Sequence, residues 1–247
     1  MIVNRLPVSV CIAVYNGEKY LNEQIHSIIM QLDNNEDEII IINDFSNDNS
    51  IEIIKSFNDS RIKLYNNINN IGFVKSFELA IQKSKNSVIF LSDQDDIWLE
   101  DRLDKMYFNL KSGGKLLLCS NFQGFNEFGN YIQRFKKRLK LSDSNKSFKN
   151  IISIFKGDIP YFGCTMVFES ELKKYILPFP TFIPTHDLWI AIMGNVINEM
   201  FHLEDDTLLH RIHGCNLSFV NRGLFKKIYT RFLFLKMVLV AIKRNNL

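Results

Sequence analysis

The sequence predicts an α/β domain whose mostly parallel sheet is flanked by helices, and two observations predict it. Through the N-terminal half, short β-branched runs alternate with segments of helical period, the order expected of strand–helix–strand units. One run, Glu38 to Asn43, holds four consecutive isoleucines and is apolar on both faces, as a strand covered on both sides must be.

The elements follow in order. Val8 to Val14 reads as the first buried strand, and in the helix after it Leu21, Ile25, Ile28 and Ile29 share one face. After the isoleucine strand come a helix with Ile51, Ile54 and Phe57 turned inward, a short strand at Ile62 to Tyr65, a helix from Phe73 to Lys83, and a strand at Val88 to Ser92. The second half is less regular. Lys115 to Asn121 and Cys164 to Phe168 read as strands, separated by a loop-rich segment, Phe122 to Lys149, that is basic around Arg134 to Lys140. Breaks at Pro178, Pro180 and Pro184 precede a helix at Leu188 to Val196. No repeat or low-complexity linker marks a boundary, so residues 1–220 are expected to form one domain, followed by a helical tail over 221–247.

Composition sets the bounds. With 247 residues, 46% hydrophobic and 23% charged, the chain has enough apolar surface for a sizeable core, which excludes wholesale disorder. Cys11, Cys119, Cys164 and Cys215 are scattered with no CxxC pair, which argues against a zinc site or a disulfide framework and for a reducing cytoplasm. Neither a signal peptide nor a run of ~20 apolar residues is visible. The net charge of +3 hides an asymmetry: residues 221–247 carry seven Lys/Arg and no Asp/Glu, which leaves 23 basic against 27 acidic residues in the rest, a net of −4.

Ligands of open α/β sheets bind where the loops converge at the carboxyl ends of the strands. Three polar features lie there: Tyr15-Asn16-Gly17 after the first strand, Asn43-Asp44 at the end of the second, and Asp93-Gln94-Asp95-Asp96 at the end of the fourth. Three carboxylates within four residues repel, and one of them tends to keep its proton unless a cation neutralises the group. Mg²⁺ or Mn²⁺ takes carboxylate oxygens and leaves positions for phosphate oxygens. The alternative is a solvated turn in which Asp96 or Asp101 caps the next helix. There is no G-x-G-x-x-G after the first strand and no G-x-x-x-x-G-K-[ST], so dinucleotide oxidoreductases and P-loop NTPases lack their phosphate cradle.

These segments resemble those of family 2 glycosyltransferases of the GT-A fold, over roughly Val8 to Ser218. Val8 to Gly17 is similar to that family's first strand and loop, Asn43-Asp44-Phe45-Ser46-Asn47-Asp48 to its D-D-G-S-x-D, and Ser92 to Trp98 to its D-x-D segment. Gly163 to Phe168, His186-Asp187-Leu188-Trp189 and Arg211-Ile212-His213-Gly214-Cys215-Asn216 resemble a bacterial polysaccharide branch described as rhamnosyltransferase-like. The resemblance implies a metal-dependent, inverting transfer of a hexosyl or deoxyhexosyl unit from a UDP- or dTDP-sugar. It implies as acceptor a hydroxyl of a growing O-antigen or capsule chain linked to undecaprenyl diphosphate.

It also implies roles for residues. Asp44 would contact the nucleobase, with Tyr15, Asn16 and Asn43 beside it on the donor. Asp93 would face the ribose or the metal, Asp95 would bind Mg²⁺ or Mn²⁺, and Asp96 would support it. Asp187 would be the general base, and His213 would approach the diphosphate or the metal. Asn43 stands where that family usually has Asp, and Phe45 where it usually has Gly.

Several readings stay open from sequence. His186 and His213 are hydrogen-bonded structural residues or parts of the site, and Trp98 and Trp189 are core residues or walls for a sugar ring. The tail, with Leu224, Phe225, Ile228, Phe232, Phe234, Leu235, Met237 and Val238 among its cations, packs on the domain or lies as a basic amphipathic helix on the cytoplasmic face of an anionic inner membrane. A catalytically silent scaffold domain is the alternative to an enzyme. Nucleic acid is not expected as a partner, since no reader motif accompanies the basic tail.

Overall fold

The computed structural model describes residues 5–126, 128–132, 137–213 and 224–246. The N-terminal half follows the expected alternation: β1 (Val8–Val14), α1 (Leu21–Ile29), β2 (Glu38–Asn43), α2 (Ser50–Ser56), β3 (Ile62–Asn66), α3 (Phe73–Lys83) and β4 (Val88–Ser92). A two-residue strand, β5 (Ile97–Trp98), precedes α4 (Arg102–Gly113), β6 (Leu117–Asn126), β7 (Tyr131–Ile132) and α5 (Ser147–Lys156). The chain then runs through β8 (Met166–Glu169), α6 (Lys173–Ile176), α7 (His186–Val196), β9 (Met200–Ile212) and α8 (Leu224–Asn245).

The strands form one sheet in the order β3-β2-β1-β4-β8-β6-β9-β5, with β7 on β6. β1 pairs in parallel with β2 and β4, and β2 with β3, as the sequence predicts. The sheet is nevertheless mixed: β8 runs antiparallel between β4 and β6, and β5 is antiparallel to β9. β6 and β9 are parallel, with register shifts around Asn121.

The period-2 pattern of the buried strands splits the core into two layers. Val8, Val10, Ile12, Ile39 and Ile41 meet α1, α2 and α4 on one face. Cys11, Ile40, Ile42, Ile89 and Leu91 meet α3, α5, α6, α7 and α8 on the other. Both tryptophans belong to this core: Trp98 and Trp189 are buried, and their indole N–H groups donate to Ser92 Oγ and the Ile176 carbonyl. The sugar-wall reading is therefore set aside for both. Cys11, Cys119 and Cys164 are buried and free, and Cys215 lies outside the described residues.

α8 departs from a simple basic amphipathic helix. It inserts Phe234, Met237 and Ala241 into the core beside α7. Three of its cations lean on rings of the domain: Arg231 on Phe155, Lys236 on Phe182 and Arg244 on Trp189. Its outer side exposes Tyr229, Phe232, Leu235, Leu239 and Ile242, an apolar stripe at helical spacing. Among the described residues no helix is long and apolar enough to cross a membrane.

Candidate functional site: three turns at the carboxyl edge

β1, β2 and β4 end side by side, so their following turns share one edge of the sheet. The first two turns interlock. Asn16 N–H donates to Ser46 Oγ and Asn47 N–H to Asn16 Oδ1, while Gly17 N–H donates to Ser50 Oγ and Glu18 N–H to Asp48 Oδ2. Asn16 and Phe45 both take a left-handed backbone, φ +48° and +66°. Gln94 ties in the third turn: its amide accepts from Tyr15 N–H at 2.9 Å and donates to the Tyr15 carbonyl at 3.2 Å. A Cβ on Gly17 would sit 2.7 Å from Gln94 Oε1, so only glycine allows this approach.

The sequence-predicted residues of the second turn are buried. Asn43 accepts from Ser46 N–H and donates to Asn66 Oδ1. Asp44 accepts from Asn67 Nδ2 at 2.8 Å, Ile71 N–H at 2.9 Å and Gly72 N–H at 2.8 Å. Its carboxylate therefore holds the 67–72 loop across the strand ends. Tyr15 and Phe45 are exposed at 49% and 55%, with Ile71 and Ile68 on the held loop also exposed.

The third turn concentrates charge. Burial, then the charges of Asp96 and Asp95, push the Asp93 carboxyl well above the usual carboxylate range. Asp96 is buried too. Burial alone would raise it, but His210, hydrogen-bonded at 2.9 Å, and the Arg211 N–H bring it below its ordinary value. His210 is raised in return, chiefly by Asp96 against the opposing effect of burial. Asp96 therefore does not cap α4; Asp101 occupies that place without a side-chain cap bond. Asp95 Oδ2 lies 2.7 Å from His213 Nε2.

Sequence reasoning quoted Arg211 but gave it no task. Its Nε donates to the Asp95 carbonyl, its Nη2 meets Glu23 at 2.5 Å, and its guanidinium lies over the rings of Tyr20 and Phe125. It thus clamps β9 and α1 to the acidic turn. Arg102, also missed, is fully buried beneath the turn. It donates to Thr207 Oγ1 and the Cys164 carbonyl and lies over Trp98; burial lowers it to about 10, so it remains a cation at neutral pH.

Asp187 lies in the first turn of α7, one residue inside a helix whose cap position is Thr185. It is partly buried, accepts from Leu188 N–H at 2.6 Å, and its charge is among those that raise Asp93. His186 is buried against Phe77, rings stacked at 3.9 Å, and meets Gly163, where any side chain would collide with its Nε2. Neither ring nitrogen has a hydrogen-bond partner, and burial holds the ring neutral with a pKa near 4. His186 therefore reads as a core residue under Asp187.

Donor atoms for a divalent cation lie on both sides of the 93–96 turn. Asp93 and Asp95 are partly exposed and offer the hard oxygen ligands that Mg²⁺ or Mn²⁺ takes, with His213 hydrogen-bonded to Asp95 beside them. Behind them Asp96, Cys164 and His210 form a buried group whose ligand atoms lie within 4.8 Å of one another. Asp96 Oδ2 has no hydrogen-bond partner. A carboxyl raised by burial and by its acidic neighbours, beside a buried carboxylate oxygen without a hydrogen bond, fits a bound cation, which relieves both. A cavity of about 540 Å³ lies along β6 and β7 and is lined by Phe122, Gln123, Tyr131, Arg138 and Asp206. Phe122 separates it from His210, against whose ring it packs edge-on.

A mixed α/β sheet with interlocked turns and an acidic cluster at its carboxyl edge defines a GT-A-like domain. Residues 9–175 match glycosyl transferase family 2, and the chain belongs to that family. It is 28% identical to the O-antigen biosynthesis glycosyltransferase WbnJ of Escherichia coli, over 83% of this chain and 80% of WbnJ. It is 29% identical to the dTDP-rhamnosyl transferase RfbG of Shigella flexneri, over 84% and 75%. S. aureus TarS 1-349 in complex with UDP-GlcNAc has the same fold, with a TM-score of 0.73 at 19% identity. The match covers 95% of this chain and 67% of that one.

Proposed function

We propose that this protein is an inverting glycosyltransferase that moves a hexosyl or deoxyhexosyl unit from a UDP- or dTDP-sugar to a hydroxyl of a growing bacterial surface polysaccharide. The observation that carries the proposal is the third turn: three carboxylates close together, one raised well above its ordinary range by burial and by the other two, with Asp187 within electrostatic reach. The name of WbnJ supports a polysaccharide acceptor and that of RfbG a dTDP-rhamnosyl donor, while the UDP-GlcNAc complex of TarS keeps a UDP-sugar among the choices.

In this reading the interlocked first and second turns receive the nucleoside. Tyr15 and Asn16 line that side, with buried Asn43 holding the turn behind them and Asp44 serving it by fixing the 67–72 loop. Asp93, Asp95 and His213 would hold Mg²⁺ or Mn²⁺, with Asp96 and Arg211 keeping the turn in place. When bound, the cation offsets negative charge on the departing nucleotide diphosphate. Asp187 takes the proton of the acceptor hydroxyl, whose oxygen forms the new bond to the anomeric carbon as the bond to the diphosphate breaks. A single displacement inverts the anomeric configuration.

The acceptor is proposed to be linked to undecaprenyl diphosphate and the protein to lie on the cytoplasmic face of the inner membrane. The exposed stripe on α8 supports this, in a segment, 221–247, with seven Lys/Arg and no acid. Donor hydrolysis or transfer with added Mn²⁺ tests the enzyme against a silent scaffold. Turnover that depends on Mn²⁺ and falls with Asp187→Asn supports catalysis; nucleotide binding without turnover on any acceptor or water supports the scaffold.

A further inference from the structure

Phe45 stands out among the residues with a left-handed backbone. Among the described residues five non-glycines have positive φ: Asn16, Asn58, Asp101, Asn198 and Phe45. Four are Asn or Asp, whose short polar side chains tolerate that region; a bulky aromatic does not. The ring gains little from packing in exchange, since Phe45 is 55% exposed. The turn that holds it is not loose. Ser46, Asn47, Asp48 and Ser50 are each hydrogen-bonded to the turn after β1, and Asp44 is buried under the 67–72 loop. An aromatic face is thus held rigidly in solvent at the carboxyl edge of the sheet, on the turn next to exposed Tyr15, with Ile68 and Ile71 exposed on the loop that Asp44 fixes. Strained conformations persist where the surroundings over-determine them, and they concentrate where a ligand is held.

We infer that Phe45 is a donor-binding residue: its ring is a stacking platform for the pyrimidine base of the nucleotide donor. The inference rests on the nucleotide-sugar reading of the same site, and it adds a contact that glycine at this position could not make. Stacking needs only the flat π-face of the base, so the platform serves uracil and thymine alike, and discrimination between them falls to neighbouring polar groups.

The test is calorimetric titration of the full chain with UDP and, separately, with inorganic pyrophosphate, both with Mg²⁺, alongside a melt of each variant. Phe45→Gly should weaken UDP binding roughly tenfold, and by up to about 100-fold, the range of base stacking on an aromatic ring. Pyrophosphate binding should not change. The melting temperature should stay level or rise, because glycine adopts this backbone without strain. Phe45→Trp should restore UDP affinity and Phe45→Leu should not. Unchanged UDP affinity in Phe45→Gly overturns the assignment, as does full rescue by Phe45→Leu, which would show simple apolar cover. A fall in UDP affinity matched by a lower melting temperature and weaker pyrophosphate binding also overturns it, since that pattern marks a structural role. If the wild-type protein binds pyrophosphate and no nucleotide, the nucleotide-sugar reading fails and Phe45 falls with it; if wild-type binds UDP, only the Phe45 outcomes decide.

Discussion

The two acidic turns on one sheet edge are built in opposite ways. In the turn after β2 the acids are satisfied by the protein itself. Asp44 accepts from one side-chain amide and two backbone N–H groups, and Asp48 accepts from Ser50 and Glu18. In the turn after β4 the acids face one another. Burial and the charges of Asp96 and Asp95 raise Asp93 well above its ordinary range, and Asp96 keeps one oxygen without a hydrogen bond. A carboxylate supplied with backbone donors shapes the chain. Carboxylates crowded together and partly buried are relieved by something positive. The sequence shows both as short acidic strings, and only the third dimension tells them apart.

The largest effect should come from Asp187→Asn, which sharpens the contrast by removing charge without shape. The amide still accepts from Leu188 N–H, and the lost first-turn charge is worth only about 0.3–1 kcal/mol against the helix dipole. Transfer should fall roughly 10²–10⁴-fold while the melting temperature hardly moves. Single-turnover transfer at saturating donor, with a melt of the same sample, checks this; retained transfer leaves Asp187 a structural residue.

Next come matched substitutions in the two turns. Asp95→Asn should leave stability near normal and weaken the Mn²⁺-dependent part of nucleotide binding by about 10–100-fold, the scale of losses around metal sites. Asp44→Asn should do the reverse to the fold. It offers one acceptor oxygen where the loop N–H groups of Ile71 and Gly72 use two, and an unsatisfied buried donor costs about 1–3 kcal/mol. Thermal melts and titrations of the pair would break the comparison if Asp44→Asn melted like wild type while Asp95→Asn unfolded.

A smaller effect concerns pH. His186 titrates near 4 in the fold because burial disfavours its charge, against an ordinary value of 6.5. Between those values the unfolded chain binds more protons, so stability is full above about pH 6.5 and declines as pH falls toward 4. The slope from this one group reaches about 1.4 kcal/mol per pH unit. Denaturant melts across that window should show His186→Leu with a shallower acid decline than wild type; equal slopes would place the proton uptake elsewhere.

The smallest expected change is at α8. Leu235→Glu with Leu239→Glu alters the exposed stripe and leaves Phe234, Met237 and Ala241 in the core. Melting should be unchanged and co-sedimentation with acidic vesicles reduced; undiminished co-sedimentation removes the membrane surface from the account.

What was legible in the sequence follows from how local each signal is. The parallel strands β1 to β4 announce themselves by buried β-branched runs, and the Asp93–Asp96 cluster by spacing alone. β9 was hidden because Glu204, Asp205 and Asp206 interrupt its apolar pattern where the strand bends outward, at the same point where its register with β6 shifts. α5 lies mostly beyond the loop-rich segment that ends at Lys149 and has no clear signal of its own, because cationic Lys149 and Lys156 frame a short apolar stretch. His210 could not be found from sequence, since its partner Asp96 is 114 residues away. The same holds for Gln94, which occupies the unassigned middle of a D-x-D string yet braces the first turn. The contacts of α8 with Phe155, Phe182 and Trp189 were likewise out of reach, because the helical pattern alone does not say which apolar side faces the domain.

The central claim, that the satisfied turn receives a nucleoside and the unsatisfied turn a cation, is tested most directly by titrating the wild-type chain with UDP and dTDP, with and without Mn²⁺. The account predicts binding of at least one of the two, tightened by Mn²⁺ in wild type and no longer tightened by it in Asp95→Asn. Absence of binding to both nucleotides in the presence of Mn²⁺, or an affinity indifferent to Mn²⁺ in wild type, would contradict it.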